Sequence, residues 1–313
     1  MDAATVERFE ANRDRLASLA YRLLGSAADA EDAVQDTFLR WHAADRDRIE
    51  VPEAWLTKVV TNVSLDRLRS AQARRERAAG EWLPEPLLDG DPMLGPADTA
   101  VQRESVTLAM LLLMERLSPV ERAVYVLREA FAYRHTEIAE ILDITESASQ
   151  QHAHRARQRI AAGRAGGRID QAAARRVVEA FVAAASSGDV DRLVALLTDD
   201  ATGISDGAGF GPARKLLRHA DPRRLAIALR AAFLPTPAKR KLVGGSPSMY
   251  AEVVNGSPAL IAALGDRVVG VVVLAVRDDR IAAVCGIADP GRLGRLTRWW
   301  RRREPAAPVI TSW

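Results

Sequence analysis

The sequence predicts a multi-domain protein in which two all-α domains precede an α+β domain, and three observations carry that prediction. Residues 6–77 and 101–160 place apolar side chains at three- and four-residue spacing, the period of a helix buried along one face. Between them, residues 80–98 hold Pro84, Pro86, Pro92, Pro96 and three glycines, which is a linker or irregular strap and not a regular element. After Gly163, Gly166 and Gly167 the pattern changes to short apolar runs of strand length. These shifts set boundaries at residues 1–78, 79–99, 100–163 and 168–290, with a basic tail over 291–313. A hydrophobic content of 48% supplies a core and excludes global disorder, while only 5% aromatics favours helix over a β-sandwich.

In the first block, Phe9, Leu16, Leu19, Ala20, Leu23 and Leu24 mark one helix, ended by Gly25-Ser26. A second helix starts near Asp29 with acidic residues in its first turn, and Val34, Phe38, Leu39 and Trp41 form its apolar face. Pro52 opens a third at the position where a missing N–H costs nothing, with Trp55, Leu56, Val59, Val60, Val63, Leu65 and Leu68 on its apolar side. The last block reads as helices over 171–186 and 190–197, then strands over 241–243, 249–255, 259–264, 268–277 and 280–287. Asp278-Asp279 suits a tight hairpin between the last two. The tail, with Trp299 and Trp300, reads as partly disordered.

Net charge is +3, too small to name a partner, but basic residues concentrate at 67–77, 155–168 and 292–303, where they can meet phosphate. The single cysteine, Cys285, excludes an internal disulfide and a Cys-rich zinc site. No basic-then-apolar leader is present, and the longest apolar run, residues 268–276, is under half a membrane span. The chain is expected to be soluble and cytoplasmic, with no membrane partner.

The sharpest local signal is T-E-I-A-E-I-L-D-I-T-E-S-A-S-Q-Q-H-A-H-R-A-R-Q-R-I, residues 136–160. Ile138, Ala139, Ile141 and Leu142 give a short helix its apolar face, Ile144 plugs the turn, and Ser147 is the expected cap of a second helix. Ser149, Ala153, Ala156 and Ile160 point inward, Ser149 being a poor packer for that place. The outer face carries Ser147, Gln150, Gln151, His154, Arg155 and Arg157, the amide and guanidinium groups that base edges and phosphates require. His152 and His154 point in different directions on a helix, so no metal site is expected.

With these residues in place the chain resembles the extracytoplasmic-function (ECF) sigma factors. L-S-P-V-E-R-A-V-Y-V-L-R-E (117–129) and the helix-turn-helix look like sigma region 4. Residues 9–41 and P-E-A-W-L-T-K-V-V-T-N-V-S-L-D-R-L-R-S (52–70) look like the helical bundle of region 2. The resemblance implies core RNA polymerase and promoter DNA as partners. Asp29, Asp32, Gln35, Asp36, Phe38 and Arg40 would dock on the clamp of the polymerase largest subunit, and region 4 on its flap. Asn62, Asp66, Arg67, Arg69, Ser70, Arg74 and Arg75 would contact a −10 type element, with the loop over residues 45–51 trapping an unstacked base. The outer face of the second helix-turn-helix helix would read a −35 type element as duplex.

W-L-P-E-P (82–86) and the C-terminal block resemble the SigJ-type subgroup, which carries a SnoaL-like domain of the ketosteroid-isomerase cone fold. Two of that subgroup's motifs appear in altered form, as Asp206-Gly207-Ala208-Gly209-Phe210 and Ala288-Asp289-Pro290-Gly291-Arg292-Leu293. The resemblance implies that Trp82, Pro84, Pro86, Asp206, Gly207, Asp289 and Pro290 form a regulatory contact between linker and tail domain, with no separate anti-sigma factor strictly required. Asp199, Asp200 and Asp206 are the carboxylates a catalytic cone would offer, but Asp199-Asp200 reads as a helix end and Asp206-Gly207 as a turn. No catalytic residue, metal or cofactor is therefore assigned. The competing readings are a one-component helix-turn-helix regulator with a ligand-sensing tail, and an isomerase or cyclase fused to a DNA-binding module.

Overall fold

The computed structural model describes residues 3–78, 82–95, 99–161, 171–206 and 216–313. The chain divides into two compact units. One comprises residues 1–80, 90–106 and 110–164; the other comprises 81–89, 107–109 and 165–313.

The first unit opens with α1 (Ala3–Leu24), α2 (Ala27–Ala43) and α3 (Pro52–Ala78), three mutually packed helices. Ser26 caps α2 through its hydroxyl, which accepts from the Asp29 N–H. The six apolar positions of α1 are all buried, as the spacing predicts. In α2 the outcome is mixed. Val34 and Trp41 are buried, whereas Leu39 is 56% exposed and leaves the predicted apolar face. Trp41 donates its indole N–H to the Thr5 carbonyl at 3.1 Å, which lets a polar handle be buried.

α4 (Ala100–Glu104), α5 (Leu108–Met114), α6 (Pro119–Tyr125), α7 (His135–Leu142) and α8 (Glu146–Ala161) follow. Ser118 and Glu121 form a reciprocal capping box at the start of α6. Arg22, 1% exposed, ties the helices together: its guanidinium donates to the Ser105 hydroxyl at 2.9 Å and to the Leu94 and Gln102 carbonyls at 2.9 and 3.4 Å. Burial lowers its pKa to about 10. Gly95, at φ +66°, passes so close to the Ser18 hydroxyl that any Cβ would collide.

The second unit is a six-stranded mixed sheet in the order β2-β1-β6-β5-β4-β3, with helices over its faces. After α9 (Gln171–Ser186) and α10 (Val190–Leu196) come β1 (Leu197–Ser205), β2 (Leu217–His219), α11 (Pro222–Phe233) and α12 (Pro237–Val243). Then follow β3 (Ser248–Val254), β4 (Ser257–Leu264), β5 (Arg267–Arg277), β6 (Arg280–Ile287) and α13 (Pro290–Trp300). β1 runs parallel to β6 and every other pair is antiparallel. Register shifts in the β1–β6, β4–β5 and β5–β6 ladders bend the sheet. Val178, Phe181, Leu193, Leu225 and Phe233 of the helices meet Met249, Ala251, Leu260 and Leu274 of one face of the sheet. On the opposite face Tyr250 meets Trp300 of α13 edge-on at 4.9 Å.

Four expectations are corrected here. Residues 241–243 end a helix, because Thr236 caps it, Pro237 opens it and Gly244 closes it at φ +90°. Asp199 and Asp200 lie inside β1, where Arg280 holds Asp199 at 2.9 Å and Arg277 holds Asp200. The tail is ordered: residues 290–300 form α13, Ile310 bridges Met249, and Trp313 is part of the core. Residues 82–89 are no free linker either, since they belong to the second unit. Asp278 and Asp279 do make the tight hairpin, both with positive φ.

Candidate nucleic-acid interface

α8 begins where Thr145 accepts the Ala148 N–H at 3.1 Å, so Thr145 is the cap and Ser147 lies inside the helix. Asp143 turns the chain into it at φ +53°, a left-handed position that aspartate tolerates. Ser149, Ala153, Ala156 and Ile160 are all buried. Ser149 is suited to its place because its hydroxyl pairs with His135 Nδ1 at 2.9 Å. Burial first, and then the charges of Arg128 and Arg157, lower the His135 pKa.

The outward face presents Ser147, Gln150, Gln151 and His154, all exposed. Gln158 shares that face and bonds His154 at 3.0 Å; its spacing of four from His154 was the available signal. Arg155 and Arg157 sit on the two shoulders and are engaged. Arg155 donates to Glu121 at 3.1 Å, Arg159 joins it at 2.5 Å, and Arg157 donates to Glu129 at 2.6 Å. The guanidinium groups of Arg155 and Arg157 both remain about half exposed while they are paired in this way.

Glu121 is 4% exposed. Burial would raise its pKa, but hydrogen bonds from the Ser118 backbone and hydroxyl, and from Arg155, with the Arg159 charge, outweigh that and lower it. A depressed carboxylate pKa stabilises the fold above its unfolded value, and that contribution is lost as pH falls through the folded one. Glu121→Gln should therefore flatten the acid limb of the stability–pH curve below about pH 5. At pH 7 it should cost about 2 kcal/mol, the scale of a hydrogen bond to a charged group, measured by chemical denaturation.

On the other helices, Arg67 of α3 reaches back to α2, bonding Asp36 at 2.7 Å and lying 3.5 Å from Asp32 and 4.0 Å from Asp29. Partial burial opposes the Arg67 charge, yet the Asp36 hydrogen bond and the three carboxylates raise its pKa. Groups assigned by sequence to two different partners thus form one cluster. Gln35 and Arg40 are exposed, while Phe38 is half-buried and packs edge-on against Phe9 at 5.0 Å. Asn62 is half-buried, Asp66 pairs with Arg69 at 3.3 Å, and Ser70 is exposed. The side chains of Arg74 and Arg75 lie outside the described residues. Lys58 of α3, which the sequence reading passed over, donates to the Glu140 carbonyl and to Asp143, both at 2.8 Å. It thereby anchors α3 to the helix-turn-helix.

The linker contact is built from residues the sequence only partly indicated. Leu83, Pro84, Pro86, Leu87 and Leu88 are buried and Trp82 is half-buried. Asn255, at φ +51° and wholly buried, accepts the Leu87 N–H through its side chain at 2.8 Å and donates its own N–H to the Leu87 carbonyl at 2.9 Å. Asp89 donates to the Val253 carbonyl at 3.0 Å, so the strap adds a short antiparallel segment to the free edge of β3. Arg292 of α13 donates to the Leu83 carbonyl. Asp289 caps α13, and Asp206 accepts the Ala288 and Asp289 N–H groups at 2.9 and 2.8 Å. Asp206, Asp289 and Pro290 are therefore brought together; Gly207 lies outside the described residues. Among the described residues no cluster of side chains suits a metal ion, and no helix is long and apolar enough to cross a membrane.

Residues 8–74 match the family model for Sigma-70 region 2, and residues 107–160 that for Sigma-70, region 4. The chain is 37% identical to the ECF RNA polymerase sigma factor SigJ of Mycobacterium tuberculosis, covering 96% of each chain. It is 31% identical to the probable ECF RNA polymerase sigma factor SigI of the same species, over 92% of this chain and 94% of that one. The crystal structure of M. tuberculosis SigJ superimposes with a TM-score of 0.67 at 33% identity, covering 93% of this chain and 98% of that one. The region 2 match removes the ordinary helix-turn-helix regulator, and likeness to sigma factors along nearly the whole chain removes the fused isomerase. With both sigma regions present in order, followed by the helix-and-sheet domain, the chain belongs to the ECF RNA polymerase sigma factors, which direct transcription initiation at promoters.

Proposed function

We propose that this sigma factor carries its own regulator: the C-terminal unit sets how regions 2 and 4 engage a promoter by holding the linker between them. The observation that carries the reading is the strap over residues 82–89, hydrogen-bonded to the edge of β3 and pinned by Asn255 and Arg292. A linker held on a sheet edge has a fixed reach; a released one has the reach of a flexible chain, so docking and release are two states that a promoter can distinguish. Asp206, Asp289 and Pro290 support the strap indirectly, by fixing the start of the helix that presents Arg292. A built-in device of this kind leaves no strict need for a separate anti-sigma factor. The chain works with bacterial RNA polymerase, hence in the cytoplasm.

The contacts are those that the likeness to sigma regions 2 and 4 implies. Asp29, Asp32, Gln35, Asp36 and Arg40 of α2 dock on the clamp of the largest polymerase subunit, and region 4 on the flap. Asn62, Asp66, Arg67, Arg69 and Ser70 of α3, continued by Arg74 and Arg75, meet the −10 type element. Ser147, Gln150, Gln151 and His154 of α8 read base edges of the −35 type element. Arg155 and Arg157 exchange Glu121 and Glu129 for phosphates at its margins.

Asn255→Gly tests the regulator, since glycine keeps the left-handed backbone and removes the side-chain amide whose oxygen accepts the Leu87 N–H. Leaving the buried Leu87 N–H unpaired costs about 1–3 kcal/mol, so exchange of the Leu87 and Asp89 amides should accelerate roughly ten-fold or more. Run-off transcription with core polymerase should change several-fold at responsive promoters, with polymerase binding unaltered. Accelerated exchange with identical transcripts from every promoter would rule out the regulatory role.

A further inference from the structure

We infer that the C-terminal unit carries a DNA-backbone contact of its own on α11 and α12, separate from both sigma regions. Residues 216–243 hold seven cations, Arg218, Arg223, Arg224, Arg230, Lys239, Arg240 and Lys241, against one carboxylate, Asp221. That is a net +6 in a chain whose total is +3, so the remaining residues are together net negative. This stretch is thus one of the strongly basic segments of the chain, and it lies in the second unit.

Several of these cations are already used. Arg223 pairs with Asp191 at 2.9 Å, Lys239 closes the end of α11 through the Ala232 and Leu234 carbonyls, and Arg240 donates to the Trp313 carbonyl at 3.0 Å. Asp221 is consumed by capping the Arg224 N–H at 2.7 Å. Arg224, Arg230 and Lys241 are exposed and have no ion-pair partner among the described residues. Arg224 and Arg230 are about 9 Å apart along the helix axis, the axial span of roughly three phosphates on one strand. The inner face of α11, Leu225, Ala226, Leu229 and Phe233, is committed to the core, so the cations are displayed from a fixed support.

Phosphate suits this face better than an acidic protein surface. Arginine forks bind phosphate oxygens in pairs. DNA is also at hand: nine residues separate Ala161, the end of the reading helix, from Gln171, the start of α9. Ten peptide steps span at most about 34 Å, roughly ten base pairs of duplex. Tethering on that scale makes even a weak backbone contact count.

The inference rests on the promoter engagement proposed above, and the test separates the two. Arg224→Ala, Arg230→Ala and Lys241→Ala are combined in the full chain, whose unchanged melting curve checks the fold. Promoter binding by the polymerase holoenzyme is then titrated between 50 and 200 mM salt with fluorescent duplexes, alongside the full chain alone on unrelated duplex DNA. The expected result is a log–log salt slope shallower by about 2–3 units, equal on promoters of different sequence and also seen on unrelated duplex. An unchanged slope with normal promoter binding would overturn the contact and leave the sigma assignment standing. Weakened assembly with core polymerase at an unchanged slope would overturn it as well, and mark the face as a protein contact. A wild-type holoenzyme that failed to bind promoters, while the variant lost affinity for unrelated duplex, would support the contact and sink the promoter reading.

Discussion

Arg22→Met should lower the melting temperature of the first unit by roughly 10 °C, corresponding to about 3–5 kcal/mol. The guanidinium is almost fully buried, and oxygens from α1, from the turn over residues 92–94 and from α4 converge on it. Methionine fills much of the volume but donates nothing, so the Leu94 and Gln102 carbonyls and the Ser105 hydroxyl each lose a donor. Leaving buried acceptors unmade costs more than the bonds contribute when formed. The backbone carbonyl of Arg22 also accepts from Arg122 at 3.3 Å, and that bond survives the substitution. Calorimetry should show the loss in one transition only, that of the unit containing regions 2 and 4, with the other unchanged. A shift below about 2 °C would mean that water readily replaces the guanidinium and that Arg22 is no keystone.

Trp313→Ala should destabilise the second unit by about 3–5 kcal/mol, the usual cost of truncating a buried tryptophan. Its indole N–H donates to the Phe233 carbonyl at 2.7 Å, its backbone N–H to the Pro247 carbonyl at 3.0 Å, and Lys239 lies 5.8 Å over the ring. Removing the ring opens a cavity beside α11 and deprives the end of that helix of a donor. Met249 and Ile310 pair just upstream, so their amides should exchange faster as the tail frays. Indole added in solution should restore part of the lost melting temperature, because the cavity keeps the shape of what was removed. Unaltered melting and exchange would show that the tail lies on the surface without contributing to the core.

What the sequence revealed is what local periodicity and capping encode. All four inward positions of α8 were legible, because small and apolar residues recur there at spacings of four, three and four. The strands β3 to β6 were legible as apolar runs bounded by Gly, Asn and Asp. β1 was not: Asp199-Asp200-Ala201-Thr202-Gly203 has poor strand propensity, and it extends because β6 and β2 pair with it on either side. Gly203 earns its place there by proximity to Leu225 of α11, where a Cβ would clash. α12 could have been found from Thr236, Pro237 and Gly244, but the short run Lys-Leu-Val resembles a strand when read without its flanks.

The site was less legible than the fold, because its pairings are distant in sequence. Nothing local to Arg155 announces Glu121, and nothing near Leu87 announces Asn255. The strap hid its anchoring leucines among prolines. Its apolar positions, Leu83, Leu87 and Leu88, face a sheet edge that exists only after the second unit has folded. Resemblance identified the motifs on both sides of that contact, whereas the residue that closes it had no signature beyond an Asn-Gly pair suited to a hairpin.

The cluster of Arg67 with Asp29, Asp32 and Asp36 has a thermodynamic consequence for the order of assembly. On the proposed roles, one side of that cluster answers to the enzyme and the other to the template. While the acids hold the guanidinium, its attraction for nucleic acid is partly cancelled. A cationic docking surface that draws the acids away unmasks it, and by reciprocity template already bound tightens the docking. Arrival of the enzyme and capture of the template are then linked events, joined through a single side chain.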